Sequence, residues 1–321
     1  MVQKLYTSRA VLIIGGAFLL LLIGILLSSL SAIKKELAAS TQRIDELQHE
    51  IAESKRAYCD AGHVQQQRLE TFTRTSGGIE RTYRVHTPDG YDTTRRYPVI
   101  MAFDGLGGSA SHIEAYSHID SLPVISVYPE ATKTASGVSA WQGAPYSRSG
   151  VDDIGFVRDI LEDLPKSYCV DTTQLFAVGM SNGGGFAAFA GCYLGDVFKA
   201  VATVSGAYYA PCPRESKLSS ILAIHSVDDH QVPFKGVSTR WRKLPAVRSW
   251  AGKQAAIRDC SVAPVRYIGD AVRYSWTCEN NTAMELVVVR GQGHGWLHIP
   301  EQSEELPFNM ARYIWRFFES H

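Results

Sequence analysis

The residues best suited to chemistry lie in the stretch VGMSNGGGF, residues 178–186. Ser181 stands between Gly179 and Gly183 in a G-x-S-x-G pattern, which is typical of a serine nucleophile on a sharp strand-to-helix turn. At average usage of glycine and serine, the pattern arises by chance in roughly one chain in ten of this length. A glycine-rich loop without chemistry would also carry it, so the neighbouring elements must decide.

A serine hydroxyl is a weak nucleophile and needs a base. Where such a turn is catalytic, an acid and then a histidine usually follow the serine in the chain. The pair Asp228-Asp229 follows the apolar run ILAIHS, and His294 follows the run MELVVVR. Taken singly, each is an ordinary loop residue. Their order predicts a triad in which His294 takes the Ser181 proton and an aspartate orients the imidazole.

The apolar runs predict the elements that position these residues. Short continuous apolar runs are typical of strands buried on both faces of a sheet, and residues 151–164 have the spacing of an amphipathic helix. The predicted strands are RTYRVHT, YPVIMAF, PVISVYP, QLFAVGM, AVATVSG, ILAIHS and MELVVVR, and MARYIWRFFES predicts a terminal helix. This alternation predicts an α/β fold, with a mostly parallel central sheet flanked by helices and ligands at the carboxyl ends of the strands.

Composition excludes several classes of function. The chain has 321 residues, with 32 Lys and Arg against 32 Asp and Glu, so no basic excess favours a nucleic-acid partner. A hydrophobic fraction of 45% is typical of a globular protein. The six cysteines form no C-x-x-C pair, so we expect no metal and no cofactor.

The N-terminal region carries no charged residue between Arg9 and Lys34. About 20 apolar residues span a bilayer, whereas the apolar part of a cleaved signal peptide has about 7–15. We therefore predict a cytoplasmic N-terminus at residues 1–9 and a single membrane-spanning helix at residues 10–32, with the bulk of the chain extracytoplasmic. Cleavage after SSLSA, which would release a secreted protein, is the alternative.

A helical stalk is predicted at residues 33–58, ahead of a globular domain at residues 59–321. Apolar residues recur in the stalk at spacings of three, four and seven, as in a coiled coil: Ile33, Leu37, Ile44, Leu47 and Ile51. Ser40 and Ser54 occupy the remaining seam positions. A homodimerising coiled coil and a monomeric helical spacer therefore both stay open.

Seven segments together resemble the secreted feruloyl esterases and the related poly(3-hydroxybutyrate) depolymerase-like esterases, which are α/β-hydrolases. They are VYPEA, WQGAPY, GVDDIGF, YCVDTTQLFAVGMSNGGGF, FKAVATVSGAYY, LPAVRSWAGKQAAIRDC and GQGHGW. The resemblance covers about residues 59–296. It implies an extracytoplasmic serine carboxylesterase that forms an acyl-enzyme at Ser181, with His294 as base. It also selects Asp229 over Asp228, because the acid of the family is the fifth residue of the segment that reads HSVDD here.

The same resemblance implies further site residues. The backbone N–H groups of Asn182 and Leu106 would form the oxyanion hole. Trp141, Gln142 and Trp296 would line the substrate pocket. The implied substrate is a small-molecule or polymer-linked ester, with an aromatic hydroxycinnamoyl or a short hydroxyacyl group.

The cysteines are even in number and all lie beyond the predicted span, which favours disulfides in an oxidising compartment. The sequence alone leaves their pairing open. The resemblance implies the pairs Cys59–Cys169, Cys192–Cys212 and Cys260–Cys278.

One departure from the family opens other hypotheses. The family has His-Gly where this chain has Asp104-Gly105. A carboxylate beside an oxyanion hole opposes the developing negative charge unless it is paired or turned away. A cell-surface acyltransferase or glycan deacetylase on the same triad is one alternative, and a non-catalytic binding protein of hydrolase fold is another. His112 and His118 are expected to lie in a surface helix without a role.

Overall fold

The computed structural model describes residues 24, 26–46, 59, 69–212, 219–240, 242–278, 282–298 and 310–321. The chain divides into two compact units, Met1–Ala57 and Tyr58–His321. In the first unit, residues 26–46 are helical and expose their leucine and isoleucine side chains. Within the described residues, no helix has the length and apolar character needed to cross a membrane. Most of the span predicted at residues 10–32, and the end of the predicted stalk, lie outside the described residues.

Eleven described strands of the second unit form one mixed sheet. These strands are β1 (Leu69–Ser76), β2 (Ile79–His86), β3 (Tyr97–Phe103), β4 (Ile125–Pro129), β7 (Val170–Met180), β8 (Ala200–Val204), β9 (Ser220–Ser226), β12 (Cys260–Val262), β13 (Arg266–Ile268), β14 (Ala271–Cys278) and β15 (Ala283–Val289). Their order across the sheet is β1-β2-β4-β3-β7-β8-β9-β15-β14-β12, and β13 pairs with β14. Two small hairpins lie outside the sheet: β5 (Thr132–Lys133) with β6 (Ser139–Ala140), and β10 (Val237–Ser238) with β11 (Lys243–Leu244).

Helices cover both faces of this sheet. They are α1 (Ala110–Ser117), α2 (Asp153–Ser167), α3 (Asn182–Tyr193), α4 (Val247–Ala256) and α5 (Met310–Glu319). Apolar side chains of α2, α3 and α4 belong to one buried cluster, and those of α1 and α5 belong to a second. The sheet therefore lies between two helical layers, which is the α/β arrangement expected from the alternating pattern.

Strand β3 shows why the apolar runs form buried strands. Val99, Met101 and Phe103 face the first cluster, whereas Ile100 and Ala102 face the second. Successive side chains of a strand point to opposite faces, so a strand covered on both faces must be apolar at every position. The run YPVIMAF satisfies this requirement.

The prediction of a mostly parallel sheet holds for the centre and is wrong at the edges. Strands β4, β3, β7, β8, β9 and β15 are parallel neighbours, whereas β1, β2, β12, β13 and β14 pair antiparallel. Because the central strands are parallel, the loops that follow β3, β7, β9 and β15 all emerge on the side of the sheet where the carboxyl ends of these strands lie.

Two of the three predicted disulfides are confirmed. Cys192 is bonded to Cys212, and Cys260 is bonded to Cys278, its directly opposite partner between β12 and β14. The predicted Cys59–Cys169 disulfide is absent, since both cysteines are free thiols. Both are buried, and burial together with a hydrogen bond to the Cys59 side chain raises the pKa of Cys169 to about 12.

Candidate active site

Ser181 lies on the turn between the end of β7 and the start of α3. Its backbone has φ 55° and ψ −117°, in the left-handed half of backbone space that residues other than glycine rarely occupy. The Ser181 N–H donates to the carbonyl of Val204 at 2.9 Å, and its carbonyl accepts from Gly185 and Ala207. The strained conformation is thus fixed by hydrogen bonds from both sides, as is common at functional sites.

The two motif glycines are required by the close approach of backbone on each side of Ser181. A Cβ atom on Gly179 would lie 2.2 Å from the carbonyl oxygen of Gly183. A Cβ atom on Gly183 would lie 2.1 Å from the carbonyl oxygen of Phe103, the last residue of β3. Any side chain at either position would push the turn away from the sheet.

His294 and Asp229 are joined directly. The Nδ1 atom of His294 lies 2.7 Å from Oδ2 of Asp229, and Oδ1 of Asp229 accepts the N–H groups of Gln231 and Val232. Burial raises the pKa of Asp229, but the hydrogen bonds to His294 and to the Val232 N–H outweigh it, so the pKa lies below its ordinary value. Asp229 is therefore a charged, fully buried acceptor for the imidazole N–H.

A second histidine, which sequence reasoning did not single out, lies behind this pair. His225 at the end of β9 is completely buried, and its Nε2 atom donates to the carbonyl of Val232 at 2.8 Å. The same atom lies 3.4 Å from Oδ2 of Asp229. Burial lowers the pKa of His225 despite these neighbours, so the imidazole stays neutral at pH 7. In the sequence, the position of His225 four residues before Asp229 was the signal that could have identified it as a neighbour of the candidate acid.

Asp228 has a different partner from Asp229. Its Oδ2 atom accepts the N–H of Gly291 at 2.7 Å, which ties the loop after β9 to the loop that carries His294. Ser205 supports the same loop from another side, because its hydroxyl donates to the carbonyl of Gly295 at 2.9 Å. The two adjacent aspartates thus separate into one imidazole partner and one loop anchor.

Asp104 is buried at the start of the loop after β3, and its carboxylate accepts four hydrogen bonds. Oδ1 accepts the N–H of Gly105 and the hydroxyl of Tyr116, each at 2.7 Å. Oδ2 accepts the N–H of Ser109 at 3.0 Å and lies 2.7 Å from Nδ1 of His112. The carboxylate is therefore paired and saturated, which is the condition under which it does not disturb an oxyanion site.

This arrangement leaves one particular N–H of the loop available. The N–H groups at residues 105 and 109 donate to Asp104, that of Gly107 donates to Ser139 at 2.8 Å, and that of Gly108 donates to Gly105 at 3.1 Å. Among the described residues, the Leu106 N–H has no acceptor. It is the predicted oxyanion donor from this loop.

Asn182, the other predicted oxyanion donor, is the first residue of α3, where a backbone N–H has no partner within the helix. Its side-chain oxygen accepts the N–H of Trp141 at 2.8 Å. Trp141 stacks on Phe186 and donates its indole N–H to the carbonyl of Asp104 at 3.0 Å. With 1% exposure, Trp141 supports the loop and does not line the pocket.

The other two predicted pocket residues are also engaged elsewhere. Gln142 exchanges two hydrogen bonds with Asp153, at 2.7 and 2.9 Å. Trp296 packs its ring against Tyr116, with 5.6 Å between ring centroids. None of Trp141, Gln142 and Trp296 lines the pocket that contains Ser181 and His294, although Gln142 lines a smaller neighbouring cavity, so their place in substrate binding stays a prediction. Their aromatic and amide groups hold the loops that surround the Ser181 pocket.

A pocket of about 960 Å³ brings the candidate residues together. Ser181 and His294 line it, with Leu106 from the loop after β3. His112 also lines it and is held there by Asp104, which corrects the expectation that His112 has no role. Arg242 contributes a guanidinium from the residue preceding β11. The lining thus includes a hydroxyl, an imidazole that is paired with a carboxylate, and Leu106, whose N–H is unengaged among the described residues, while the second unengaged N–H belongs to Asn182, the residue after Ser181. These are the types of group that acyl transfer uses.

Comparison with known proteins places the chain in a family. The Esterase family model, described as "Putative esterase", matches residues 75–265, more than half of the chain. The chain belongs to this esterase family. This confirms the family predicted from sequence resemblance, a family of carboxylic ester hydrolases.

Feruloyl esterases are among the curated relatives. The chain is 28% identical over 157 residues to "Probable feruloyl esterase C" of Aspergillus terreus, which covers 49% of this chain and 57% of that protein. It is 28% identical over 165 residues to "Feruloyl esterase D" of Neurospora crassa, which covers 50% of this chain and 57% of that protein. The chain thus spans little more than half the length of these relatives.

Solved structures share the fold at low identity. The acetyl xylan esterase from Aspergillus awamori matches with a TM-score of 0.57 and 11% identity, covering 78% of this chain and 100% of that one. Thermogutta terrifontis esterase 2 matches with a TM-score of 0.51 and 12% identity, covering 79% of this chain and 95% of that one. These similarities support the α/β-hydrolase fold.

Proposed function

We propose that this protein is a serine carboxylesterase that works through an acyl-enzyme on Ser181, with His294 as general base and Asp229 as the residue that orients it. The observation that carries the proposal is the 2.7 Å contact between His294 Nδ1 and Asp229 Oδ2, with His294 and Ser181 lining one pocket. Membership in the esterase family adds independent support.

In the acylation step, Oγ of Ser181 attacks the ester carbonyl carbon while Nε2 of His294 takes its proton. Collapse of the tetrahedral intermediate breaks the bond to the alcohol oxygen, which receives that proton from His294. Water then attacks the acyl-enzyme by the same route and releases the acid. Asp229 stays ionised throughout, in keeping with its lowered pKa, and stabilises the imidazolium.

The negative oxygen of the intermediate is proposed to bind the N–H groups of Asn182 and Leu106. Both lack a protein acceptor among the described residues, and Asn182 lies at the positive end of the α3 dipole. Preorganised donors of this kind stabilise charge only as it develops, which lowers the barrier to the chemical step.

For the substrate, we propose esters of hydroxycinnamic acids, with short hydroxyacyl polyesters as the second class. The first class is supported by the feruloyl esterases among the curated relatives. The pocket volume of about 960 Å³ accommodates an aromatic acyl group of that size.

The decisive experiment measures hydrolysis of methyl ferulate, 4-nitrophenyl butyrate and a 3-hydroxybutyrate oligomer by the full chain. Ser181→Ala should abolish turnover of all three, whereas Ser149→Ala, which changes an exposed serine, should retain it. Turnover that survives Ser181→Ala would refute the proposal.

Two other outcomes select the alternative hypotheses. Transfer of the acyl group to an added sugar in preference to water, or release of acetate from a glycan, would favour an acyltransferase or a deacetylase. A folded protein in which a fluorophosphonate probe does not label Ser181 would favour a non-catalytic binding protein.

We also propose that residues 10–32 anchor the protein in a membrane, with the esterase domain extracytoplasmic and the stalk forming a homodimer. The uncharged N-terminal sequence and the two disulfides support this topology. Full chain that pellets with membranes, is digested by protease added outside intact cells and cross-links as a dimer would support it. Full chain that stays in the supernatant would contradict the anchor.

A further inference from the structure

The charges that line the pocket point to the class of substrate. Asp104, the one carboxylate in the described lining, is engaged with His112, and Asp229 of the candidate triad is engaged with His294. Arg242 is the one arginine or lysine in the described lining, and no described carboxylate lies within ion-pair distance of it. The pocket therefore presents a guanidinium whose countercharge is not supplied by the described protein.

The backbone and side chain of Arg242 are held in place. Its N–H donates to the hydroxyl of Thr239 at 2.9 Å, and its carbonyl accepts the N–H of Thr239 at 2.8 Å, which closes the hairpin between β10 and β11. Its Nη2 atom donates to the carbonyl of Gln231, and its Nε atom lies 3.4 Å from the Tyr209 hydroxyl. These contacts preorganise the guanidinium and leave Nη1 without a described acceptor.

The aromatic side chains beside Arg242 carry hydroxyl groups, and the Tyr209 hydroxyl accepts a hydrogen bond from Arg242 Nε. Tyr209 and Tyr146 pack edge to face at 5.6 Å and both line the pocket. Burial, reinforced by the neighbouring Tyr209 hydroxyl, raises the pKa of Tyr146 far above its ordinary value, so the phenol stays neutral. His112 adds an imidazole to the same pocket. An acceptor-rich anionic group complements this set.

The segment that carries Arg242 is also strongly basic. Residues 230–247 contain Lys235, Arg240, Arg242 and Lys243 and no aspartate or glutamate. Arg240 and both lysines are exposed at the surface. Of these four residues only Arg242 lines the pocket, so it is the one that can contact a bound substrate directly.

We propose that Arg242 selects esters that carry a carboxylate close to the scissile bond. The inference rests on the proposed esterase function and names its substrate class. A neutral ester would offer the half-buried guanidinium carbonyl acceptors but no countercharge after displacing its water. A carboxylate would form charge-assisted hydrogen bonds to the planar guanidinium, the geometry that arginine recognises best.

The test compares two matched pairs, each an ester with a carboxylate a few atoms from the scissile bond and the same ester with that carboxylate methylated, and the enzyme-free rate of each compound is subtracted. One pair is chlorogenate and its methyl ester, assayed by release of caffeate, which places the charge on the alcohol side. The other is the 4-nitrophenyl half-ester of glutaric acid and its methyl ester, assayed by release of nitrophenol, which places it on the acyl side. For at least one pair, kcat/KM should be on the order of tenfold higher for the anion.

Variants locate the source of this preference. In Arg242→Gln, the ratio of kcat/KM for the anion to kcat/KM for its neutral methyl ester should fall to near one. Arg242→Lys should retain part of the preference for the anion. Lys243→Gln removes a charge from the adjacent, exposed position and should leave the ratio unchanged. Equal ratios for the unmodified protein and Arg242→Gln in both pairs would overturn the inference.

Binding separates this inference from the proposed chemistry. Ser181→Ala protein should bind chlorogenate more tightly than its methyl ester by calorimetry, and the added Arg242→Gln change should remove the difference. Selective binding without any hydrolysis by the unmodified protein would refute the esterase and keep the anion site. Hydrolysis with equal affinity for both compounds, in both pairs, would refute the anion site alone.

Discussion

Replacing Asp104 by asparagine distinguishes two opposite effects of this side chain. If the carboxylate mainly repels an oxyanion at Leu106, Asp104→Asn should raise kcat. The structure supports the reverse expectation, because the carboxylate holds the loop that presents the Leu106 N–H. The sign of the change in kcat therefore decides between them.

The size of the effect follows from the four hydrogen bonds to Asp104. An asparagine keeps one acceptor oxygen and replaces the other with an NH₂ group. The hydroxyl of Tyr116 and the ring of His112 can turn or change tautomer to accept from it, but the N–H groups of Gly105 and Ser109 cannot. One buried backbone N–H thus loses its acceptor, which costs about 1–3 kcal/mol.

We therefore expect Asp104→Asn to lower the free energy of unfolding by about 1–3 kcal/mol in a urea titration. A displaced Leu106 N–H should lower kcat for 4-nitrophenyl butyrate at least tenfold, since complete loss of such a donor costs about 10²–10³ in kcat. Tyr116→Phe removes one donor but keeps both backbone contacts, so its effect on kcat should be smaller. An unchanged or increased kcat in Asp104→Asn would refute this account of the loop.

Three further changes probe the rest of the site. Gly183→Ala should abolish turnover, because the Cβ atom of the alanine would lie 2.1 Å from the carbonyl oxygen of Phe103. Label-free folding assays should show that the same change destabilises the domain. Replacing Cys192 and Cys212 by serine should lower stability by about 2–4 kcal/mol, measured by urea unfolding, and an unchanged midpoint would contradict the role of that bridge. Stability should fall as the pH drops below about 6.5, because the pKa of His225 is lowered in the folded state and the unfolded chain takes up its proton first. Stability should fall again below about pH 4, because the pKa of Asp229 is lowered in the folded state and the unfolded chain protonates this carboxylate first. His225→Gln should remove only the first loss of stability.

The sequence predicted the centre of the fold because burial on both faces leaves a distinctive pattern. The apolar run YPVIMAF coincides with β3, and the predicted helix at residues 151–164 lies largely within α2, Asp153–Ser167. Of the antiparallel edge strands, the run RTYRVHT predicted β2, but its direction was not predicted. Strand β14 reads AVRYSWTC, in which apolar and polar residues alternate from Val272 to Cys278 as in a half-buried strand, so this signal was present and was overlooked.

The site was predictable where a role depends on chain order and not where it depends on tertiary contact. Ser181, Asp229 and His294 follow parallel strands whose carboxyl ends lie on the same side of the sheet. The order of the strands is therefore enough to predict that these residues come close together. Trp141 was assigned to the pocket by resemblance, yet its ring is buried against Phe186. Only the packed structure distinguishes an aromatic residue that lines a pocket from one that supports its wall.

Asp104 shows how a departure from a family pattern can be compensated locally. Its two side-chain partners, His112 and Tyr116, are four residues apart on α1, so they lie on the same face of that helix. Burial and the Asp104 carboxylate raise the pKa of Tyr116 well above its ordinary value, which keeps its hydroxyl a donor. The carboxylate at residue 104 is therefore matched by two side-chain donors at that spacing. The sequence contains this signal eight and twelve residues downstream, where it is detectable once α1 is known to pack over the loop.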